Sequence, residues 1–147
     1  MSEETKNVMI SIHSRQAFDN QDPDSVELTT TGSLRRTENG YCVSYEESAL
    51  TGMEGTHTSL HISPRQVILT RTGELNTQIV FEKGVRHLSL YSTPMGRLEV
   101  GVATRNLRST IDEHGGELHV DYAIDIERQL TGTNSFSITV KEKNISQ

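Results

Sequence analysis

Alternation with a period of two runs through nearly the whole chain and limits what it can become. From Glu117 to Glu127, Leu118, Val120, Tyr122, Ile124 and Ile126 fall on one face, while Glu117, His119, Asp121, Asp125 and Glu127 fall on the other. Successive strand side chains point to opposite faces, so this is a strand with one buried and one wet side. The same rhythm recurs from Val8 to Lys141. It predicts about ten short strands at roughly eight-to-twelve-residue spacing, the pattern of a sandwich or barrel. No helical segment separates consecutive strands, which excludes parallel crossovers. Short sequential connections favour an up-and-down meander, and closing it removes exposed edges. The expected fold is all-β: one antiparallel up-and-down barrel of about eight to ten strands, a single domain over 1–147 with its ordered core at about 7–142.

The strands follow from the phase of their apolar residues. Val8, Ile10 and Ile12 share one face, and so do Val26, Leu28 and Leu34, with a bend or bulge expected at Gly32. Asn39-Gly40 reads as a hairpin turn supplied with positive φ. Asn106 to His114 is ambiguous, because Leu107 and Ile111 lie four apart while Leu107, Ser109 and Ile111 also alternate; a strand after a bulge is the reading taken. A turn is expected within Gln129 to Asn134.

Composition narrows the function classes. A hydrophobic fraction of 33% suits sheets with one solvated face. A net charge of −6 argues against nucleic acid and against anionic membrane surfaces. The single cysteine, Cys42, cannot form an internal disulfide and suits a reducing compartment. The N-terminal residues lack the basic and apolar regions of a signal peptide, and Val67-Ile68-Leu69 is too short to span a bilayer. The expectation is a cytoplasmic protein with no membrane or nucleic-acid partner.

Several motifs together point to a family. Ser44-Tyr45-Glu46-Glu47, Gly55-Thr56-His57-Thr58, the run from Tyr91 to Gly96 followed by Gly101, and Ile111-Asp112-Glu113 through Gly116 to Asp121-Tyr122 keep a specific order and spacing. In these, from about Asn7 to Lys141, the chain resembles the YwiB-like family of small uncharacterised proteins of Gram-positive bacteria. The resemblance implies a calycin-like, lipocalin-like β-barrel and carries no activity, ligand or functional residue with it. The chain departs from typical lipocalins in lacking their Gly-x-Trp signature, since it has no tryptophan.

Catalytic and metal constellations are weak. His57 and His61 lie four apart on a strand, about 13 Å from each other, beyond the reach of one ion. Asp19, Asp22 and Asp24 lack the spacing of a calcium loop and read as an acidic turn. Glu46 and Glu47 point to opposite strand faces, so they make poor acid–base partners, although one of them can enter a barrel mouth. No nucleophile elbow, phosphate loop or dinucleotide fingerprint is present. No catalytic residue, metal ligand or cofactor is therefore assigned.

The inward-facing set carries the more specific signal. Thr30 shares a face with Leu28 and Leu34, Thr56 and Thr58 share one with Leu60 and Ile62, and Arg36 and Arg71 are in phase with Leu34 and Leu69. A few polar groups on an apolar wall are what a small-molecule site needs. Thr30, Arg36, Thr56, Thr58 and Arg71 are the expected lining residues, for a small apolar or anionic molecule. The alternatives are a solidly packed barrel that docks a protein or a second copy of itself, for instance around Tyr91, Pro94 and Met95, and an enzyme in the barrel mouth using Glu46 or Glu47 with a histidine.

Overall fold

Ten strands follow one another without an intervening helix in a computed structural model that describes residues 5–17, 24–47, 54–73, 76–93 and 96–143. They are β1 (Thr5–Ala17), β2 (Asp24–Arg36), β3 (Tyr41–Glu46), β4 (Thr56–Ile62), β5 (Gln66–Gly73), β6 (Thr77–Glu82), β7 (Arg86–Thr93), β8 (Gly96–Ser109), β9 (Gly115–Ile126) and β10 (Gln129–Glu142). Asp19, Asp22, Pro94 and Met95 lie outside the described residues.

All ten strands form one sheet in the order β6-β5-β4-β3-β2-β1-β10-β9-β8-β7, with every pairing antiparallel. The first and last strands pair with each other, and the two sheet edges, β6 and β7, are neighbours in sequence. The sheet therefore curls into a nearly closed up-and-down barrel. At the seam, Gly84 N–H donates to the Thr104 carbonyl at 2.9 Å and Val85 N–H to the Glu82 carbonyl at 3.0 Å. Ser89 Oγ donates to the Gln78 carbonyl at 3.3 Å, and His87 Nε2 lies 2.9 Å from Glu82 Oε1. No helix among the described residues is long and apolar enough to cross a membrane.

Register aligns the apolar faces row by row. Ile10 is opposite Val140, Ile12 opposite Ile138, Val43 opposite Leu60, Leu60 opposite Leu69, and Val67 opposite Phe81. Val8, Ile10, Leu34, Val43, Leu60, Val67, Phe81, Leu118, Val120 and Val140 are all buried. Each such side chain contributes roughly 1.5–3 kcal/mol by leaving water. Phe81, Tyr122 and Phe136 meet edge to face, with ring centroids 4.9, 5.5 and 6.1 Å apart.

Three local features refine the sequence reading. β8 continues to Ser109, and its pairing with β9 shifts between Thr104 and Asn106. The extra residue flips the phase, so Val102 and Thr104 face in before the bulge and Leu107 after it. The β9–β10 turn sits at Glu127 and Arg128, with φ of 52° and 71°, earlier than the expected Gln129–Asn134. Neither residue is a glycine or asparagine, so the turn carries no compositional mark; Glu127 N–H holds it by donating to the Glu99 carbonyl at 2.8 Å. The Asn39-Gly40 hairpin forms without positive φ at either residue. Glycine is needed at position 40 because a Cβ would collide with the Ile62 carbonyl oxygen.

Candidate functional site

The alternation Tyr41-Val43-Tyr45 continues one residue past β3 and turns Glu47 into the barrel, while Glu46 faces out to His57, with Nδ1 and Oε2 2.6 Å apart. The Glu47 side chain is only 1% exposed. A carboxylate so placed needs donors. Thr58, two residues along β4 from the Thr56 whose carbonyl accepts the Glu47 N–H, donates its Oγ1 to Glu47 Oε2 at 2.5 Å. Arg71, opposite Thr58 on β5, brings its Nε to 3.8 Å from the same oxygen. Tyr45 shares the cluster: burial, and then the Glu47 charge, push its phenol well above the usual range and keep it protonated.

Beside this cluster the lumen is not filled. A cavity of about 360 Å³ opens at that end of the barrel. Its walls are mainly apolar, including Leu28, Leu60, Leu69, Ile79, Phe81 and Phe136, and its polar groups include Tyr45, Glu47, Arg71, Ser14 and Asn134, with Arg15 at the rim. Arg71 Nε is buried and has no hydrogen-bond partner among the described residues, and the same holds for Thr56 Oγ1. A larger hollow of about 500 Å³ lies at the opposite end, between Asn39–Tyr41, Ile62–Pro64 and Leu107–Ile111. Among its described lining residues none is a buried charged group, and strand ends and turns share its wall equally.

Of the five residues expected to line a site, Thr56, Thr58 and Arg71 are brought together around Glu47, and only Arg71 lines the cavity. Arg71 is on the cavity wall, and Thr56 and Thr58 are fully buried. Thr58 supports Glu47 from behind instead of facing the cavity. The other two lie away from this cluster. Thr30 is half-buried and turns its Oγ1 to the neighbouring Thr31 carbonyl at 3.4 Å. Arg36, the last residue of β2, has the inward phase of Leu34 but lies at the other end of the barrel; it is 70% exposed and 4.0 Å from Glu113. Phase fixes the face of a strand, not the depth at which a residue sits.

The expected list omitted Glu47, the aromatic trio, Ser14 and Asn134. Ser14 is in phase with Ile10 and Ile12, and Asn134 with Phe136 and Ile138, so parity was the available signal. None of the cavity-lining residues is a histidine. His61 lies 4.0 Å from the Sγ of Cys42, whose thiol burial pushes up despite the nearby Arg35. Among the described residues, no group of three or more His, Cys, Asp or Glu is placed to hold a metal ion.

Comparison with known proteins agrees with this architecture. The family described as "Domain of unknown function (DUF1934)" matches residues 10–138. A relative from Bacillus subtilis (strain 168), named "Uncharacterized beta-barrel protein YwiB", is 24% identical over 131 residues, covering 88% of this chain and 91% of the relative. The crystal structure of the ywiB protein from Bacillus subtilis superposes with a TM-score of 0.78 at 23% identity, over 95% of this chain and 94% of that one. At that identity the likeness speaks for the fold alone.

Proposed function

The chain belongs to the DUF1934 family, and we propose that it is a non-enzymatic binding protein whose barrel takes up one small, largely apolar molecule beside Glu47 and Arg71. The observation that carries this reading is the unfilled lumen: a cavity of about 360 Å³ with apolar walls and one buried, hydrogen-bonded charge cluster. Small-molecule sites are concave and mostly apolar, with a few polar groups to fix orientation, and they favour barrel mouths. The cavity lining holds no histidine to work with Glu47 as an acid–base pair, and the Glu46–His57 pair faces away from it. In this reading the barrel serves as a calycin-like container, and its unpaired Cys42 suits the cytoplasm.

The test uses N-phenyl-1-naphthylamine, a neutral fluorophore that brightens in apolar surroundings. The expected result is saturable enhancement at one site per chain, lost in Ile79→Trp and in Leu28→Trp, which fill the cavity from two walls. Circular dichroism checks that the strands persist, and either folded variant is sufficient. Absence of enhancement in the parent, or undiminished enhancement in a folded filled variant, would overturn the reading.

A further inference from the structure

We infer that the cavity discriminates against anionic ligands and that Arg71 receives an uncharged hydrogen-bond acceptor, such as an amide or ester carbonyl, on an apolar body. This rests on the binding reading above and narrows its ligand class. An arginine on an apolar wall is ordinarily a clamp for carboxylates. Here the position is already taken. Glu47 Oε2 lies 3.8 Å from Arg71 Nε, so the guanidinium charge is balanced within the protein.

Glu47 is not free to swing away. Its side chain is 1% exposed and receives the Thr58 hydroxyl, and the Tyr45 phenol beside it stays protonated. A ligand carboxylate at Arg71 would add a second negative charge next to this one, in a mainly apolar cavity where screening is weaker than in bulk water. Arg15 at the rim does not alter the balance, because it is exposed and its field is screened by solvent.

Arg71 still has hydrogen-bonding capacity. Its Nε is buried without an acceptor among the described residues, and a buried donor left unmade is costly. That atom is closed off from the cavity, but the Arg71 side chain keeps 23% exposure on the cavity wall, where a carbonyl oxygen would be received without bringing charge. The apolar body would then lie against Leu28, Leu69, Ile79 and Phe81.

Octanamide and octanoate test this as a matched pair, each displacing N-phenyl-1-naphthylamine near neutral pH. Octanamide should compete at least tenfold more tightly than octanoate. In Glu47→Gln, which keeps the shape and removes the charge, Arg71 is unbalanced and the preference should reverse. Octanoate binding as tightly as octanamide in the parent protein overturns the inference while leaving the cavity reading intact. Failure of the fluorophore itself to bind overturns the cavity reading, and the inference with it. The parent preference decides the matter whether or not Glu47→Gln folds.

Discussion

Replacing Arg71 with methionine isolates the energetics of the buried cluster. Methionine keeps an unbranched apolar stem against the wall and removes the guanidinium, so the loss is mainly electrostatic. Two unit charges about 4 Å apart attract by about 4 kcal/mol at an effective dielectric of about 20. Removing one member of a buried pair costs about 3–5 kcal/mol, because the other charge stays buried. Arg71 retains 23% side-chain exposure against 1% for Glu47, and the Thr58 hydroxyl still donates. Both features place the cost at the low end, about 3 kcal/mol, a large part of the ~5–15 kcal/mol by which domains are stable. With a urea slope of about 2 kcal/mol/M the unfolding midpoint should fall by about 1.5 M. The double variant Glu47→Gln/Arg71→Met, which strands no charge, should return to within about 1.5 kcal/mol of the parent. A loss below about 1 kcal/mol for Arg71→Met, the value of an exposed pair, would refute the description of Glu47 as a buried, paired carboxylate. So would a double variant no more stable than Arg71→Met alone.

Other consequences follow from particular contacts. Gly40→Ala forces a Cβ onto the Ile62 carbonyl, whereas Gly84→Ala meets open space and only the strain of a φ of 80°; by denaturation the second should cost about 1–2 kcal/mol and the first clearly more, and the reverse order would contradict the close-approach reading. On the outer face, hydrogen bonds from Arg86 hold Asp125 below the usual carboxylate range, with Nη2 to Oδ1 at 2.6 Å and Nε to Oδ2 at 2.9 Å. A depressed carboxylate stabilises the fold above its unfolded pKa of about 3.9, and this stabilisation fades as pH falls through the folded value. The stability deficit of Asp125→Asn, measured by denaturant titration across pH, should therefore be widest near neutrality and narrow below about pH 4; a deficit independent of pH would show that the Asp125 charge plays no part. Cys42 is 3% exposed with its thiol pushed up by burial, so a thiol reagent such as 5,5′-dithiobis(2-nitrobenzoate) should label it slowly in the native protein and rapidly in denaturant. Equal rates in both states would place the cysteine at the surface.

Much of the barrel was legible because parity is a local property. Val8, Ile10 and Ile12, or Phe136, Ile138 and Val140, declare their face without reference to any other strand. Leu107 and Ile111 were ambiguous because residues four apart share a face on a helix and on a strand alike, and the bulge between Thr104 and Asn106 breaks the parity that would have tied them to Val102. The Glu127–Arg128 turn was missed because its geometry is enforced by the flanking ladder, not by its residue types. Glu47 was readable as inward-facing by continuing β3, but its partner was not. Arg71 reaches it only through the register of β4 with β5, which no local pattern encodes. Arg36 shows the converse, since the same phase that puts Leu34 in the core leaves the strand's final residue in water. A barrel site is a matter of which residues share a level, and level depends on stagger between strands.

The most direct test of the central claim is native mass spectrometry of the protein purified without detergent or denaturant, beside the cavity-filled Ile79→Trp variant. The account predicts a reproducible added mass on the parent, one per chain, released on unfolding and absent from the variant. Unliganded masses for both proteins, with no uptake of added octanamide by the parent, would contradict it and leave a barrel that works through its outer surface.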